Sequence, residues 1–482
     1  MSDVRGLLDR ISAFRQRLES TPRIIPEAIP IDSADVPSTV AVAESFRQSL
    51  RQITGLVEVS EGPLPVLTDR ARQLLSTAQT LLARQRKFAC EPAILGLSNR
   101  NDAANDSLVA YHRETVAVLD CGVRLAQAFP ASPSAQLKLC DGLQGMLAIV
   151  ADRLAVQERT LAQRQSEYSR IDRIAIVYSA MHQNQAVGLN SIAALAEELL
   201  EDARQAKPLR FLHTEPHSTH SYPGGIETLA PARYLAAHAI NTAQVIARIV
   251  SFDYEWASRP LVPVVAALMM ECGMMRVPGD VLAKSTPLSS DERRLIEQHP
   301  QHGAQLLTRY ATDAALLAAA VATHHERGDG TGFPAGIKGA QIPSLGRMLA
   351  AADTYAALCS PRPYRPAQDT RTALTDVLLL AEHGQLDKDF AEYLVHLSFY
   401  PVGSIVELTD GRIGSIAANH VNRMDPRSPG RPIVALLAEA DGTLISRPEH
   451  VDLSLATRGA VLRTLPAERC KEVLGRRYPE LA

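Results

Sequence analysis

The most constraining feature of the sequence is the run His324 to Pro334, in which two adjacent histidines precede a glycine-rich segment. The run reads His-His-Glu-Arg-Gly-Asp-Gly-Thr-Gly-Phe-Pro. Two adjacent imidazoles can both face one metal only where a helix is ending, and the glycines let the backbone fold tightly back over that point. The sequence therefore predicts a metal site at the end of a helix, closed by a glycine loop.

Length and charge place the chain among ordinary globular proteins. Its 482 residues are enough for two to four domains, each with its own core. The formal net charge of −3 gives no sign of a bulk nucleic-acid binder, so an anionic ligand needs a local cluster of cations. The six cysteines show no paired spacing, and no segment has the apolar length of a membrane span. These features predict a cytoplasmic protein without a membrane anchor.

The hydrophobic pattern predicts a mainly α fold that ends in a small β-rich appendage. Apolar residues recur at three- and four-residue intervals through most of the chain, whereas period-two segments flank the turn Thr409-Asp410-Gly411-Arg412. We expect an N-terminal helical region at residues 1–133, a long linker helix at 134–206, a loop at 207–230, an all-helical domain at 231–400 and the appendage at 401–482. The loop histidines, His213, His217 and His220, are more typical of solvated side chains than of a metal site.

The predicted linker helix carries a heptad track. Its apolar positions run from Leu143 to Tyr178, and Gln157 and Arg164 interrupt them. Such a track with charged flanks indicates either a coiled coil that makes a homodimer or a long helix packed within its own bundle. If it dimerises, the helix is a natural transmitter from the N-terminal region to the domain that follows.

The run at 324–334 resembles the core of the HD-GYP family, with Phe333 in the tyrosine position. HD-GYP proteins are cyclic di-GMP phosphodiesterases that hold metal ions on histidines and aspartates. The resemblance covers residues 231–400 and implies five metal ligands, namely His238, His299, His324, His325 and Asp353. It also implies contacts of the dinucleotide with the basic segment at Arg362 and Arg365 and with the loop residues Gly332, Phe333 and Pro334. Tyr234 stands where some members carry a Glu for a third metal, so a trinuclear site is not expected.

The chain departs from the family at the dyad that gives it its name. Where the family has His-Asp-x-Gly-Lys, this sequence reads Glu271-Cys272-Gly273-Met274-Met275. The resemblance implies that an imidazole, a bridging carboxylate and a lysine are lost. Glu271 or Cys272 can complete a three-histidine site for one cation, but a thiolate suits zinc better than the iron or manganese of the family. The alternative for Cys272 is a buried structural thiol.

We therefore expect one divalent cation (Fe, Mn or Zn) or none, rather than a dinuclear centre. The leading hypothesis is a signalling protein that binds cyclic di-GMP, a related dinucleotide or a protein partner, with hydrolysis reduced or lost. The rival hypothesis is a working metal-dependent phosphodiesterase with a remodelled site. An interaction scaffold without nucleotide affinity is a third hypothesis, in which the histidines are only polar core residues.

Overall fold

The structure is a computed structural model of the 482-residue chain. Apart from a few residues between these ranges, it describes residues 65–89, 103–127, 132–185, 190–205, 230–310, 314–395, 404–418, 431–445, 449–455, 459–465 and 467–474. Its residues form two compact units that divide after Ser166. The amphipathic helix expected at residues 3–20 lies outside the described residues, as do His217 and His220.

Three helices build the described part of the first unit. They are α1 (Pro65–Ala89), α2 (Ala103–Gln127) and the first part of α3 (Pro133–His182). Apolar side chains spaced by three and four residues form its core, including Leu74, Leu81, Leu119, Leu143 and Leu147. The prediction of a helical N-terminal region is confirmed for these residues.

The heptad track of α3 is buried within the single chain. Its members Leu143, Leu147, Val150 and Leu154 belong to the core of the first unit, whereas Ile171, Ala175 and Tyr178 belong to the core of the second. Gln157, which interrupts the track, donates from Nε2 to Thr115 Oγ1 at 3.3 Å. This is the intrachain packing that the sequence left open, and a homodimer stays a prediction.

The segment 134–206 contains two helices rather than one. Helix α3 ends at His182, where Asn184 takes a positive φ of 61° and the Gln185 amide donates to Ala180 O at 2.9 Å. An asparagine in the left-handed conformation ends a helix because the amides that follow the last turn then donate to the last carbonyl oxygens of the helix. Helix α4 (Asn190–Arg204) then begins and packs Leu195 and Leu199 into the second unit. The sequence analysis missed this break.

The remainder of the second unit begins with a compact helical domain. Its helices are α5 (Ala230–Ile249), α6 (Leu261–Met269), α7 (Gly279–Leu282), α8 (Ser290–Glu297), α9 (His299–Tyr310), α10 (Ala315–Thr323), α11 (Ser344–Leu358), α12 (Thr370–Glu382) and α13 (Lys388–Val395). Short 3-10 turns lie at Val250–Phe252, Cys272–Arg276 and Gly339–Gln341. Helix α5 is buried along nearly its whole length, and α6 and α11 pack against it. The expected all-helical domain is confirmed.

A five-stranded antiparallel sheet follows the helical domain. Its strands are β1 (Ile405–Leu408), β2 (Ile413–Ala418), β3 (Ile433–Ala438), β4 (His450–Asp452) and β5 (Val461–Thr464), in the order β4-β3-β2-β1-β5. Gly411 has a φ of 86° in the hairpin between β1 and β2, as the turn signal predicted. Helix α14 (Ala467–Leu474) comes last. The β-rich appendage is confirmed, although the sequence analysis did not predict β4, β5 or α14.

Among the described residues, no helix is both long enough and apolar enough to cross a membrane. The described cysteines, Cys121, Cys140, Cys272, Cys359 and Cys470, are free thiols.

Candidate metal centre

Three histidines lie close together where helix α9 begins and helix α10 ends. His299 opens α9, directly after α8, whose start is fixed by a capping box between Ser289 and Glu292. His324 and His325 follow the last residue of α10. The ring centroids of His324 and His325 are 4.1 Å apart, and that of His299 lies 5.2 Å and 4.9 Å from them. The end of a helix thus turns two adjacent imidazoles towards one point, as the sequence predicted.

Backbone hydrogen bonds fix the tautomers of two of these rings. His299 Nδ1 lies 2.6 Å from the carbonyl oxygen of Ile296, and His324 Nδ1 lies 2.7 Å from that of Val321. A carbonyl oxygen only accepts, so each Nδ1 carries a hydrogen and donates it. In a neutral ring the Nε2 atom is then a lone-pair acceptor. The Nε2 atoms of His299 and His324 face each other at 3.3 Å.

The two facing rings are neutral near pH 7. Burial lowers the pKa of His299 to about 4 and that of His324 to about 4, because a charged imidazolium loses its hydration there. Two lone pairs at 3.3 Å repel each other unless a cation lies between them. This donor arrangement fits a divalent cation, since metal-bound histidines also commonly donate their second ring nitrogen to a carbonyl.

A second pair of ligand types lies beside the three histidines. His238 on α5 and Asp353 on α11 are both buried, and His238 Nε2 lies 2.7 Å from Asp353 Oδ1. His238 Nδ1 has no hydrogen-bond partner in the described chain. Burial would raise the pKa of Asp353, but the hydrogen bond from His238 and the nearby imidazoles hold it well below its usual value. The other carboxylate oxygen, Oδ2, lies 3.8 Å from His325 Nδ1.

Glu271 lies between the two sets of ligands. Its Oε1 atom is 3.8 Å from His238 Nε2, and only 4% of the residue is exposed. One candidate cation group consists of Glu271, His299, His324 and His325, and a second of His238, Glu271 and Asp353. Within each group, one ligand atom from every residue lies within 4.8 Å of the others. Burial raises the pKa of the Glu271 carboxyl, a cost that a bound cation would offset.

The Cys272 sulfur faces away from both groups. Its Sγ atom contacts the Gly303 carbonyl oxygen at 3.7 Å, and neither candidate cation group includes it. Burial raises the pKa of the thiol to about 12, so it is protonated near neutral pH and a poor ligand. Of the two substitutes at the expected dyad, the structure thus brings Glu271 to the centre and leaves Cys272 in the core.

Comparison with known proteins agrees with this geometry. The HD domain family matches residues 220–390, which contain every residue of both candidate groups. The chain is 37% identical over 157 residues to the cyclic di-GMP phosphodiesterase PA4108 of Pseudomonas aeruginosa, covering 32% of this chain and 37% of that protein. The domain at residues 220–390 is an HD domain of the HD-GYP type.

Two further relatives are named for related activities. The HD-GYP domain is 41% identical over 108 residues to a cyclic di-GMP phosphodiesterase of Vibrio cholerae, covering 21% of this chain and 22% of the relative. It is 34% identical over 151 residues to a 3'3'-cGAMP-specific phosphodiesterase of the same species, covering 30% of this chain and 31% of the relative. The chain thus spans well under half the length of these three curated relatives.

The glycine loop of the HD-GYP domain supports the histidine pair. The Phe333 ring stacks on His325 with centroids 4.6 Å apart, and the Phe333 amide donates to His325 O at 3.2 Å. A side chain at Gly332 would overlap the backbone of residues 325–327, so only glycine fits there. The Phe333-Pro334 peptide is cis. The contacts of this loop with His325 fix the orientation of its ring.

The two arginines of the basic segment have different surroundings in the HD-GYP domain. Arg362 Nη1 donates to the Tyr234 hydroxyl at 3.0 Å. Burial would lower the pKa of Arg362, but Tyr234 and the carboxylates of Glu271 and Asp353 raise it. The guanidinium of Arg365 instead donates to the carbonyl oxygens of Ala357, Leu358 and Pro366, two of them at the end of α11. Arg362 is therefore near the candidate centre, whereas Arg365 caps a helix.

Sequence reasoning missed one residue that shapes the HD-GYP centre. A Cβ atom at Gly273 would overlap the His299 carbonyl oxygen and the Gly303 amide nitrogen. The absence of a side chain lets the 3-10 turn after Glu271 lie directly on the first turn of α9. The signal was a glycine directly after the Glu-Cys pair. Met275, which the sequence analysis paired with the family's lysine, is half-buried against the core, as is Met274 directly after Gly273.

Proposed function

We propose that the HD-GYP domain holds a divalent cation on His299, His324 and His325 and binds a cyclic dinucleotide beside it. Hydrolysis is slower than in relatives with an intact dyad. The observation that carries this proposal is the pair of Nε2 lone pairs facing each other at 3.3 Å. Two nitrogens bound to one tetrahedral cation at 2.0–2.1 Å lie roughly 3.3 Å apart. The spacing is thus that of two ligands of a single ion.

The residues of the centre suit the cations that the sequence analysis considered. Imidazoles with a carboxylate are ligands for Zn, Fe and Mn alike, so the donor set leaves the choice of metal open. When bound, such a cation neutralises phosphate oxygens and lowers the pKa of a coordinated water. The chain's own residues orient the rings: Ile296 and Val321 accept from Nδ1, and Phe333 stacks on His325.

The ligand class rests on the relatives and on one guanidinium. The curated relatives are named as phosphodiesterases of cyclic di-GMP and 3'3'-cGAMP. Arg362 lies beside Tyr234 and interacts electrostatically with Glu271 and Asp353. A guanidinium in this position suits a phosphate oxygen, because it offers several donors in a plane. A signalling role also requires a protein partner that binds the domain only when the cyclic dinucleotide is bound.

Two features of the chain support slow hydrolysis. The Cys272 side chain, at the expected place of a bridging carboxylate, contacts Gly303 instead of the candidate cation groups. Neither Met274 nor Met275, the two residues after Gly273, brings the positive charge of the family's lysine. A cation near the reacting phosphate stabilises the charge that develops in the transition state, so its loss costs rate more than binding.

Calorimetry and metal analysis together test the proposal. We expect the purified chain to bind at least one Mn²⁺ or Zn²⁺ and to bind cyclic di-GMP, and His324→Ala to lose the cation. Arg362→Ala should weaken cyclic di-GMP binding by about tenfold, the value of one charged hydrogen bond. The matched control is Arg365→Ala in the same segment, which should keep the affinity. A chain that binds neither cation nor dinucleotide would overturn the proposal.

A second candidate function is an active phosphodiesterase, and Glu271 favours it. Its carboxylate belongs to both candidate cation groups, so the chain has a carboxylate at the centre despite the loss of the expected aspartate. Turnover of cyclic di-GMP or 3'3'-cGAMP with added Mn²⁺, abolished by His324→Ala, would establish this function. A chain that binds cyclic di-GMP but shows no turnover with added Mn²⁺ would instead favour the slow or silent domain.

We also propose that the other regions regulate this domain. The HD-GYP domain at 231–400 is the output in this proposal, and helix α3 carries a signal from the N-terminal region to it. The continuity of α3 over 50 residues supports a transmitting role. Deleting residues 1–133 should change dinucleotide affinity or turnover if the signal acts on the output domain, and should leave both unchanged if it does not.

A further inference from the structure

The long helix α3 contacts the turn that carries Glu271 through one buried tyrosine. Tyr178 lies one turn before the end of α3 and is fully buried. Its hydroxyl donates to the carbonyl oxygen of Leu268 at 2.7 Å. Leu268 belongs to the last turn of α6, three residues before Glu271. A side chain of the linker helix is thus hydrogen-bonded to the backbone that leads into the candidate metal centre.

This hydrogen bond satisfies a carbonyl group that α6 does not pair within itself. An α-helix leaves its last four carbonyl oxygens without intrahelical partners, and a buried carbonyl that stays unpaired is costly. Helix α6 ends at Met269, so the Leu268 carbonyl is one of these four. The 3-10 turn Cys272–Arg276 begins directly after Glu271. The Tyr178 hydroxyl therefore caps α6 at the point where the helix changes into the turn with Glu271.

The Tyr178 hydroxyl is a hydrogen-bond donor throughout the neutral pH range. Burial and the nearby Cys272 and Glu271 side chains raise the pKa of Tyr178 well above its usual 10. The hydroxyl therefore keeps its proton, and the Leu268 carbonyl oxygen accepts it as a hydrogen bond. Because the Glu271 carboxylate contributes to this shift, the hydroxyl lies within electrostatic range of it.

The segment from Leu268 to Gly273 is held at both ends. Tyr178 holds the first carbonyl oxygen, and Gly273 at the other end lies so close to the His299 carbonyl oxygen that a side chain does not fit. Glu271 lies between these two contacts, and one of its carboxylate oxygens is within 4.8 Å of a ligand atom of each of the three imidazoles. One contact belongs to α3, whereas the other belongs to the helix that begins with His299. Movement of α3 alone therefore displaces Glu271 relative to the imidazoles.

We propose that Tyr178 is a positioning residue of the candidate metal centre, through which helix α3 sets the distance between the Glu271 carboxylate and the three imidazoles. A shift of α3 along or about its axis moves the hydroxyl and keeps or breaks its hydrogen bond to Leu268 O. The cation affinity of the centre then depends on the position of α3. This inference rests on the proposed function, because it requires a cation on the imidazoles, and it names the contact by which the linker helix regulates that site.

A second polar contact joins α3 to the same domain, but it is less suited to this role. Arg233 Nε donates to Asp172 Oδ1 at 2.6 Å, close to the start of α5. The Asp172 side chain is 33% exposed, so water screens the ion pair. Arg233 also lies five residues before His238, more than one turn away along α5. Tyr178, in contrast, is buried and bonds to the backbone three residues from Glu271.

A double-mutant cycle on cation affinity tests the proposal without an assay of turnover. The full chain is stripped with chelator and titrated with Mn²⁺ by calorimetry. Tyr178→Phe removes the hydroxyl and keeps the ring, and we expect it to weaken Mn²⁺ binding by about threefold to tenfold, the range for one hydrogen bond. In a Glu271→Gln background the same substitution should change the affinity by less than about twofold, because no carboxylate is left to position.

The matched control is Ser179→Ala. It removes the neighbouring hydroxyl of α3, which has no hydrogen-bond partner in the part of the chain that the structure describes. We expect the Mn²⁺ affinity of this variant to equal that of wild type. A loss of affinity in Tyr178→Phe alone is then due to the hydrogen bond to Leu268 O rather than to the removal of any hydroxyl from α3.

Hydrogen exchange provides a second measurement that needs no variant. By linkage, a cation whose affinity depends on the position of α3 stabilises that position by the same factor. Loading the wild-type chain with Mn²⁺ should therefore slow exchange in residues 171–182 by about threefold more than in α12. Helix α12 is the internal control, because it belongs to the same domain and carries none of the candidate ligands.

The results separate this inference from the proposed function. A loss in Tyr178→Phe that disappears in the Glu271→Gln background supports the positioning role. Equal affinity in wild type and Tyr178→Phe overturns the role and leaves the proposed function standing. An equal loss in both backgrounds also overturns it, since Tyr178 then acts on packing rather than through Glu271.

The exchange measurement decides if either variant does not fold or the Glu271→Gln background binds no Mn²⁺. Greater slowing in residues 171–182 than in α12 supports the positioning role, and equal slowing overturns it. A wild-type chain that binds no cation overturns the proposed function, and this inference with it.

Discussion

The N-terminal unit and the HD-GYP domain each bury several polar side chains, and the two sets differ in how their polar atoms are paired. In the N-terminal unit, Gln157 Nε2 donates to Thr115 Oγ1, and Thr115 Oγ1 donates to Tyr111 O at 2.9 Å. In the HD-GYP domain, two ring nitrogens with lone pairs face each other. Donor-to-acceptor chains hold a core together, whereas two acceptor nitrogens brought face to face in a buried site have the arrangement of two ligands of one cation.

Removing one of the two facing imidazole rings tests this contrast most directly and has the largest expected effect. We expect His324→Ala to weaken cation binding by roughly 1,000-fold or more, because loss of an outer-shell partner alone costs 10–100-fold. Isothermal titration of the stripped protein with Zn²⁺ measures this. Thr115→Ala in the N-terminal unit is the control and should leave the cation affinity unchanged. Equal cation affinity in wild type and His324→Ala would mean that the facing rings are only core residues.

The second largest effect is a loss of stability at mildly acidic pH. His299 and His324 have pKa values lowered to about 4, below the usual 6.5, so the unfolded chain takes up their protons first. Their contribution to stability is present above pH 6.5 and is lost as the pH falls towards 4. Each ring contributes roughly 3 kcal/mol by this shift, and the unfolded chain protonates both rings, so we expect a loss of at least about 3 kcal/mol.

Denaturant unfolding in chelator at several pH values measures this loss. Saturating Zn²⁺ should move it to lower pH, because the cation competes with protons for the same lone pairs. A free energy of unfolding that stays constant between pH 6.5 and 4 in chelator would contradict the assignment of neutral, buried rings.

The sequence predicted the parts of the centre that depend on neighbours along the chain. The His-His pair ends a helix and the glycine loop folds back over it, as residues 324–334 indicated. The convergence of His238, His299 and Asp353 on that pair came from the resemblance alone, because helix packing over long separations leaves no local pattern. The directions of Glu271 and Cys272 were also not predictable, since on a tight turn adjacent side chains point different ways.

The misses in the fold have the same physical origin. The break after His182 depends on the left-handed conformation of Asn184, which a polar, proline-free stretch does not reveal. Arg365 was expected at the ligand because arginines suit phosphates, yet its guanidinium donates to the carbonyls at the end of α11. Propensity and charge predict what a residue can do. The tertiary structure decides which of these contacts it makes.

A third prediction compares two glycines, one in each region. Gly273→Ala places a Cβ against the His299 carbonyl oxygen and the Gly303 amide nitrogen, neither of which can move easily. We expect a loss of about 3 kcal/mol in the free energy of unfolding and a weaker cation affinity. Gly145→Ala in α3 is the matched control, because its Cβ would meet nothing within 4 Å. It should gain about 0.5–1 kcal/mol through helix propensity. Equal effects of the two substitutions would exclude the close approach at Gly273.

The smallest expected effect is in the N-terminal unit, where the buried polar pair needs no ligand. Gln157→Leu removes an amide whose Oε1 atom is buried without a partner in the described chain, and Thr115 keeps its hydrogen bond to Tyr111 O. Replacing a partly satisfied polar group by an apolar one of similar size leaves no new unpaired donor. We therefore expect the free energy of unfolding to change by less than about 1 kcal/mol, with cation binding unaffected. A larger loss would show that the Gln157 amide makes a stabilising contact besides the one with Thr115. The contrast between the polar groups of the N-terminal core and those of the candidate metal centre would then fail.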